Sequence, residues 1–377
     1  MNKLSFLIAV DYYLPGFQAG GPIKSVSLLC ENLNTKFDIT VLTSNSDLDG
    51  ILYKIENDCL VDLGGYDVVY LSKMSMVKVY KQISLSSPNI IYLNSFFSKF
   101  TQIILLLRGL KLISAKIILA PRGELSKGAL SIKAKKKSAF LRLVKWFGFY
   151  NNLYFHATDE TESKDIKAIF SNPVLCVPNL AYRSKQHMIV EKNVNELRLV
   201  FLSRISRKKN LLYALKVLKE IDDKRIENVI FDIYGTKEDK EYWLECKGLI
   251  NTFKYVIIRF KGEIKPKNIA KTLSRYHLFF LPTMNENFGH AIVEAMQNGL
   301  VQLISNQTPW NDLGGDAGYT LDLSDKDAFV QAVIEMLACS QEDFMQKSDK
   351  TKEYINRKID NTVILEKYIE MFTRVSE

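Results

Sequence analysis

Short apolar runs of strand length recur along this chain with helical segments between them, and this pattern limits the possible fold more than any other feature. In the first half the runs cover residues 6–10, 39–43, 68–71, 90–93, 117–120, 153–156 and 175–177. In the second half they cover residues 197–203, 229–234, 256–260, 278–281 and 301–304. Near-continuous apolar strands that alternate with helices form parallel sheets covered on both faces. The pattern therefore predicts an α/β protein with two doubly wound, Rossmann-like domains.

The length of the chain also favours two domains. With 377 residues, of which 47% are hydrophobic, the chain exceeds what one core usually holds. A polar, irregular stretch separates the two blocks of strands. We expect an N-terminal domain over residues 1–180, a linker over 181–196, a C-terminal domain over 197–355 and a C-terminal helix over 356–377, where apolar residues follow a helical spacing.

Charge, cysteines and hydropathy limit the environment. A net charge of +9 suggests an anionic partner, which could be phosphate groups, nucleic acid or an acidic membrane surface. The five cysteines show neither a CxxC pair nor a metal-ligand spacing, so free thiols in a reducing cytoplasm fit best. Charged residues interrupt the apolar stretch 103–120, which therefore does not predict a membrane span. We expect a cytoplasmic protein, located either in solution or at the inner face of the cell membrane.

The most informative motif runs from residue 281 to 298 and reads LPTMNENFGHAIVEAMQN. A strand ends, a polar loop follows, and a helix begins near Phe288 and Gly289. In open α/β sheets, ligands bind outside the carboxyl ends of strands, where helix N-termini present amides to phosphate. Glu286 and Glu294 flank this helix start. The alternative is that both glutamates are solvated on a surface helix.

A second motif, over residues 199–210, is a strand that runs into a basic loop. Cations at a strand end suit a diphosphate, because such a leaving group gains charge as its bond breaks. Arg204 begins this loop, and Arg207, Lys208 and Lys209 follow. A solvated basic turn is the alternative.

Two loops of the first half carry further candidates. Gly20 and Gly21 follow the first strand, where paired glycines let the backbone approach a ligand closely. Pro22 then suits the first turn of a helix. After the strand 117–120, Arg122 begins an Arg-Gly-Glu turn that is either a ligand contact or a structural turn.

Together these motifs resemble glycosyltransferase family 4, also described as glycosyl transferases group 1. The resemblance rests on two glutamates separated by seven residues, with Phe-Gly between them, and on the order of the motifs. It implies the GT-B fold, in which two Rossmann-like domains face each other across a cleft and the C-terminal helix packs back on the N-terminal domain. It also implies a retaining transfer of a sugar from a nucleotide diphosphate sugar to an acceptor hydroxyl.

The resemblance further implies roles for single residues. Arg204 and Lys209 clamp the diphosphate, although Arg207 and Lys208 remain alternatives for the lysine. Glu286 orients the sugar. The other implied donor contacts are Glu294 at the ribose hydroxyls, with Phe288, Gly289, Gly20 and Gly21. Many relatives carry a sugar-contacting histidine where this chain offers Arg122, which we include among the catalytic candidates.

Neither a metal nor a cofactor is expected. Two Asp-x-Asp triplets, at residues 47–49 and 325–327, lack the context of a metal site, and the basic clamp supplies the charge that a metal would bring. We expect no nucleic-acid partner, because no stacking motif accompanies the lysine run 133–137.

One further segment suggests a membrane contact. Residues 127–149 combine basic and aromatic residues without an acidic one, which is typical of a helix that lies on an anionic membrane. The alternative is a solvated basic face over a buried apolar one.

We therefore predict a retaining glycosyltransferase whose acceptor is lipid-linked or an oligosaccharide, in the synthesis of a surface polysaccharide such as O-antigen, capsule or exopolysaccharide. The competing prediction is a non-catalytic two-domain protein that binds a sugar or nucleotide. Such a protein needs no diphosphate clamp.

Overall fold

A computed structural model describes residues 3–131, 134–182, 190–315 and 317–377. The chain divides into two compact units. The first unit consists of Met1–Leu180 and Asn361–Glu377, and the second unit is Ala181–Asp360.

The first unit contains a sheet that is parallel except at one edge. Its strands are β1 (Ser5–Ala9), β2 (Asp38–Ser44), β3 (Leu60–Asp62), β4 (Asp67–Leu71), β5 (Ile90–Asn94), β6 (Lys116–Ala120), β7 (Tyr154–Ala157) and β8 (Val174–Cys176). Among the described residues they follow the order β3-β4-β2-β1-β5-β6-β7-β8, with β3 antiparallel to β4. The helices between them are α1 (Gly21–Leu33), α2 (Met76–Ser86), α3 (Lys99–Gly109), α4 (Lys127–Ser131), α5 (Ala134–Trp146) and α6 (Glu160–Lys167).

The second unit contains a parallel sheet. Its strands are β9 (Leu197–Leu202), β10 (Val229–Tyr234), β11 (Ile257–Gly262), β12 (Leu278–Leu281), β13 (Val301–Ser305) and β14 (Gly318–Leu321). The order over the described residues is β11-β10-β9-β12-β13-β14. The helices are α7 (Leu211–Asp223), α8 (Lys240–Ile250), α9 (Ile269–Leu273), α10 (His290–Gln297), α11 (Lys326–Ala338) and α12 (Gln341–Lys358). The predicted pair of doubly wound α/β domains is thus confirmed.

Two short edge strands were not predicted. β3 has three residues, and its side chains are at least partly exposed, so no apolar run marks it. β14 begins with a glycine and has one fully buried residue. Both strands lie at a sheet edge, where pairing with one neighbour is enough to define a strand.

Polar residues at several helix starts fix where helices begin. The Ser75 hydroxyl accepts a hydrogen bond from the Lys78 backbone N–H, at 3.3 Å. The Asp159 carboxylate accepts one from the backbone N–H of Glu162, at 2.8 Å, which caps α6. Such caps satisfy backbone donors that have no partner within the helix.

The C-terminal boundary differs from the prediction. The sequence predicts it between residues 355 and 356, but α12 continues to Lys358 within the second unit. Ile355 is 1% exposed, and the Tyr354 hydroxyl donates to the Asp312 carboxylate, so the last turns of α12 belong to the second unit. Residues 359–360 separate α12 from the next helix. This helix, α13 (Asn361–Ser376), is part of the first unit.

In the first unit, α13 packs through aromatic side chains. The ring of Phe372 lies edge-on to Phe6 of β1, with centroids 4.7 Å apart. The ring of Tyr368 lies 5.4 Å from the ring of His156 in β7. These contacts explain why a helix from the end of the chain belongs to the first compact unit.

The predicted linker 181–196 lies partly outside the described residues, which omit 183–189. Its described end is packed into the second unit. Lys192 is 2% exposed, and its ammonium donates to the backbone carbonyls of Asn193, Leu337 and Cys339 at 2.8, 3.2 and 3.1 Å. Carbonyl oxygens thus compensate the burial of this cation.

Candidate functional site

The strand order of the second sheet reverses between β9 and β12, which are neighbours. In doubly wound sheets, ligands bind at this switch point, outside the carboxyl ends of the strands. The basic loop follows β9, and the glutamate motif follows β12. The topology therefore brings the two motifs to the same edge of the second sheet, although about 75 residues separate them in the chain.

Lys209 and Glu286 form an ion pair at this edge. Both side chains are largely buried, at 10% and 14% exposure. Burial by itself would raise the pKa of Glu286, but the Lys209 ammonium and the nearby Lys208 hold that pKa below its usual value. The carboxylate is therefore ionised at neutral pH, and the pair places one cation and one anion beside the helix start of the motif.

Thr283 connects the two loops. Its hydroxyl donates to the backbone carbonyl of Lys208, at 3.1 Å, and the Met284 N–H donates to the same carbonyl, at 2.8 Å. The Ser305 hydroxyl in turn donates to the Thr283 carbonyl. Thr283 is fully buried, so these bonds hold the basic loop and the glutamate loop in a fixed arrangement. The sequence motif contains Thr283, but its hydrogen-bond partners Lys208 and Ser305 lie outside the motif. The sequence therefore did not indicate a role for Thr283.

The start of α10 has a backbone that requires glycine. Gly289 lies at the N-cap with a φ of 75°, and a Cβ atom there would meet Glu286 Cγ at 3.0 Å and Ile292 Cδ1 at 2.9 Å. The preceding Phe288 is 6% exposed, and its carbonyl accepts a hydrogen bond from the Trp310 indole N–H, at 2.6 Å. The helix start is thus fixed next to the Lys209–Glu286 pair. The amide groups of a first helical turn and the helix dipole favour an anion.

Glu294 lies on α10, five residues beyond Gly289, and is half-buried. Its backbone carbonyl accepts from the Asn298 backbone and side chain at the helix end. The two motif glutamates therefore occupy different positions: Glu286 in the loop before the helix and Glu294 within the helix.

The two arginines of the basic loop have other partners. Arg204 donates to Glu238 at 2.9 Å, and both side chains are about one-third exposed. Arg207 lies over the Tyr242 ring and pairs with Glu245. Among the three clamp alternatives, the Lys209 ammonium forms an ion pair with Glu286, and the Arg207 guanidinium pairs with Glu245 of α8.

The glycine loop of the first unit is held by an aspartate. Gly20 caps α1 with a φ of 70°, a conformation that favours glycine, and α1 begins at Gly21. The Asp47 carboxylate accepts from the backbone N–H groups of Phe17 and Gln18, at 2.8 and 3.2 Å. Asp47, which begins one of the two Asp-x-Asp triplets, therefore stabilises this loop.

Arg122 lies in a network of neutral acceptors. It follows β6 with a φ of 57°, and its guanidinium donates twice to Asn94 at 2.9 and 3.0 Å. It also donates to Asn179 at 2.6 Å and to the Tyr92 hydroxyl at 3.0 Å. Sequence reasoning missed these partners because the asparagines are 28 and 57 residues away. Arg122 therefore joins the carboxyl end of β5 to the segment after β8.

His156 continues this network as a neutral side chain. The Tyr92 hydroxyl contacts His156 Nδ1 at 2.6 Å, and Nε2 contacts the Val177 carbonyl at 2.8 Å. Burial first, and then the positive charge of Arg122, lower the pKa of His156 to about 3. Nε2–H donates a hydrogen bond to the Val177 carbonyl, and Nδ1 accepts one from the Tyr92 hydroxyl. This is the arrangement of a neutral imidazole.

Glu124 and Glu162 fix the turn around Arg122. Glu162 accepts from the backbone N–H groups of Gly123 and Thr158, at 2.6 and 2.8 Å. Glu124 accepts from the Ser95 hydroxyl, at 2.7 Å, and burial raises its pKa. Both carboxylates thus bind other parts of the first unit. Within the described residues, no group of three or more His, Cys, Asp or Glu side chains is arranged to hold a metal ion.

Comparison with known proteins agrees with this architecture. Residues 183–358, just under half of the chain, match the family model described as Glycosyl transferases group 1. O-antigen chain mannosyltransferase B of Escherichia coli is 26% identical over 141 residues, which are 37% of this chain and 36% of that relative. The alignment thus spans about a third of that relative's length.

Solved structures resemble the whole chain. Sucrose-phosphate synthase from Thermosynechococcus elongatus is similar with a TM-score of 0.78 at 14% identity, over 99% of both chains. HepE from Anabaena, solved with UDP and glucose, is similar with a TM-score of 0.72 at 13% identity, over 98% of this chain and 100% of that one. The fold is that of the GT-B glycosyltransferases, which confirms the predicted fold class.

Proposed function

We propose that this protein is a retaining glycosyltransferase that moves a sugar from a nucleotide diphosphate sugar to an acceptor hydroxyl. The observation that supports this most directly is the buried Lys209–Glu286 pair beside the start of α10, at the switch point of the second sheet. A cation, a carboxylate and a helix N-terminus meet the needs of a donor that carries a diphosphate and a polar sugar.

In this proposal the second unit holds the donor. Lys209 and the amides of α10 stabilise the diphosphate, while Arg204 exchanges its exposed contact with Glu238 for a phosphate oxygen. Glu286 binds sugar hydroxyls. Glu294 binds the ribose hydroxyls of the nucleotide. Phe288 and Gly289 shape the loop against which the donor lies.

The proposed reaction is a displacement on one face of the sugar. The bond between the anomeric carbon and the phosphate oxygen breaks, and the acceptor oxygen bonds to the same face. The acceptor proton passes to the leaving phosphate. No metal is required in this proposal, because Lys209, Arg204 and the helix dipole offset the charge that develops on the diphosphate.

The acceptor class is proposed from relatives. The E. coli relative is an O-antigen chain mannosyltransferase. We propose that the acceptor here is a lipid-linked saccharide or oligosaccharide of a surface polysaccharide, bound by the first unit on the cytoplasmic side of the membrane. Gly20 and Gly21 would let the acceptor or the donor phosphate approach the backbone closely.

A thermal-shift panel tests the proposal. The protein is mixed with UDP, GDP and ADP sugars in EDTA, and donor hydrolysis is followed in parallel. We expect stabilisation by one nucleotide class. In Glu294→Ala, loss of hydrogen bonds to the ribose should weaken that donor about tenfold or more. Glu370→Ala, which removes an exposed carboxylate of α13, is the matched control and should bind the donor as wild type does.

The outcomes separate the candidate functions. Stabilisation by a nucleotide sugar without hydrolysis or transfer would favour the non-catalytic binding protein. No response to any nucleotide sugar would contradict the proposed donor site. A shift that disappears with EDTA and returns with a divalent cation would contradict metal independence.

A further inference from the structure

The end of α5 exposes large apolar side chains. Trp146 is 82% exposed, Phe147 is 56% exposed, and Leu143 is 50% exposed. On the other side of the helix, Val144 is buried in the core of the first unit. The helix therefore packs an apolar side chain against the core, and its exposed surface also carries apolar groups. Apolar side chains that cluster on a surface mark interaction sites more often than isolated ones do.

A second helix contributes to the same surface. At and just beyond the end of α3, the exposed apolar side chains are Leu106, Leu110 and Leu112, at 41%, 55% and 48% exposure. The end of α3 touches the segment after α5, because a Cβ atom on Gly109 would lie 2.9 Å from Phe149 Cε1. Phe149 in turn stacks on Phe147, with ring centroids 5.5 Å apart. The two exposed apolar groups therefore belong to neighbouring elements.

The charge of this region is basic. On α5, the exposed cations are Lys135, Lys136, Arg142 and Lys145, and Lys111 follows α3. Glu124 is the only acidic residue between Asp67 and Asp159 in the sequence. Its carboxylate is bonded to Ser95 and to the Phe97 backbone, so it does not neutralise these cations at the surface. Of the predicted segment 127–149, Ile132 and Lys133 lie outside the described residues.

We propose that the ends of α3 and α5 form a basic-aromatic face, made of residues 106–112 and 135–147, that binds the surface of an anionic phospholipid bilayer. Tryptophan and phenylalanine partition into the interfacial region of a bilayer, and lysine side chains reach its anionic headgroups. A solvated basic helix would not need exposed Trp146 and Phe147. Within the described residues, no helix has the length and hydropathy to span a bilayer.

This face contains none of the proposed donor residues: Arg204, Lys209, Glu286 and Glu294 belong to the second unit, and Gly20 and Gly21 lie outside residues 106–112 and 135–147. The two proposals can therefore fail independently. Vesicle sedimentation tests the lipid contact directly. The full chain is mixed with vesicles of phosphatidylcholine alone, and with vesicles that also contain phosphatidylglycerol. We expect binding to the second kind only, weakened by salt.

Two double variants divide the face into its parts. Trp146→Ser with Phe147→Ser removes the aromatic contact, and Lys135→Glu with Lys136→Glu reverses two charges. Each should weaken vesicle affinity about tenfold or more. The matched controls are in the second unit: Leu244→Ser on α8, which is 66% exposed, and Lys265→Glu with Lys267→Glu. Both controls should bind as wild type does.

Trp146 also reports on insertion. Its fluorescence should shift to shorter wavelength when anionic vesicles are added, and Trp146→Phe should abolish the shift while Trp243 and Trp310 remain. All substituted side chains are exposed, so the melting temperatures should stay close to wild type. Three results would overturn the proposal: no vesicle binding at low salt, full binding by the Trp146→Ser and Phe147→Ser double variant, or an equal loss in the Lys265→Glu and Lys267→Glu control.

Discussion

Each unit holds a cation at the carboxyl edge of a parallel sheet, and the partners of the two cations differ. Lys209 in the second unit pairs with one carboxylate, Glu286, beside a helix start. Arg122 in the first unit is bonded to the neutral side chains Asn94, Asn179 and Tyr92. A lysine with a single ionic partner can turn to an arriving phosphate at the cost of one contact. An arginine whose N–H groups are shared among several neutral side chains loses more contacts if it turns away, so we expect a positioning role for Arg122.

The largest expected effect is on turnover. Lys209→Met removes the buried cation of the second unit, and kcat should fall about 10²- to 10³-fold with the donor saturating, because the leaving diphosphate loses its closest positive charge. Lys208→Met removes the same charge one residue earlier and should change kcat much less. Equal losses in the two variants would assign the clamp to both lysines.

A double variant checks that the first loss is not caused by unfolding. Lys209→Met leaves the Glu286 carboxylate buried without its partner, which costs stability. Adding Glu286→Gln should restore the melting temperature without restoring turnover. If turnover returned as well, the pair would serve the fold only.

Arg122→Met should have its largest effect on stability. It leaves the acceptor atoms of Asn94, Asn179 and Tyr92 unsatisfied, and the free energy of unfolding of the first unit should fall by about 3 kcal/mol. Arg142→Met, on the exposed side of α5, is the control and should stay within about 0.5 kcal/mol of wild type. Denaturant titration of both variants measures the difference. A stable Arg122→Met protein with greatly reduced kcat would restore Arg122 as a catalytic residue.

The network around Arg122 should also make the first unit sensitive to acid. The pKa of His156 is lowered to about 3, so the folded state keeps the imidazole neutral while the unfolded chain takes up a proton below about 6.5. Stability from this residue is therefore complete above pH 6.5 and falls as the pH decreases. By pH 5 the loss should be about 2 kcal/mol.

Comparison with His156→Gln isolates that residue from other titrating groups. Hydrogen exchange of the β5 and β7 amides at pH 7 and pH 5 gives the stability of the first unit in both proteins. At pH 7 the free energy of unfolding of wild type should exceed that of His156→Gln, and this difference should be about 2 kcal/mol smaller at pH 5. If this difference were the same at pH 7 and pH 5, His156 would be protonated in the folded protein at pH 5.

The smallest expected effect concerns the two arginines of the basic loop. Arg204 makes an exposed contact with Glu238, and we propose that it turns to the donor, so Arg204→Ala should lower kcat about fivefold, or ~1 kcal/mol. Arg207 is bound to Glu245 and lies over Tyr242, so Arg207→Ala should leave kcat close to wild type. The reverse order would mean that Arg207, rather than Arg204, completes the clamp with Lys209.

Much of the fold could be predicted from the sequence, because buried parallel strands are apolar over most of their length. The edge strands β3 and β14 lacked that pattern and were missed. The helix boundary was placed five residues too early, because apolar spacing continues from α12 into α13. What separates these helices is the packing of Ile355 in the second unit and of Phe372 in the first, which no local pattern records.

The sequence by itself determined the two doubly wound domains, the position of each motif at a strand end, and the helix start at the glycine pair before Pro22. These properties depend on hydrophobic periodicity and on local backbone geometry, which act over a few residues. Only the tertiary structure decided that Lys209, among three adjacent basic residues, contacts Glu286, and that Arg122 is bonded to distant asparagines. Such contacts depend on how loops from different strands meet at the edge of a sheet, and a linear spacing does not contain that information.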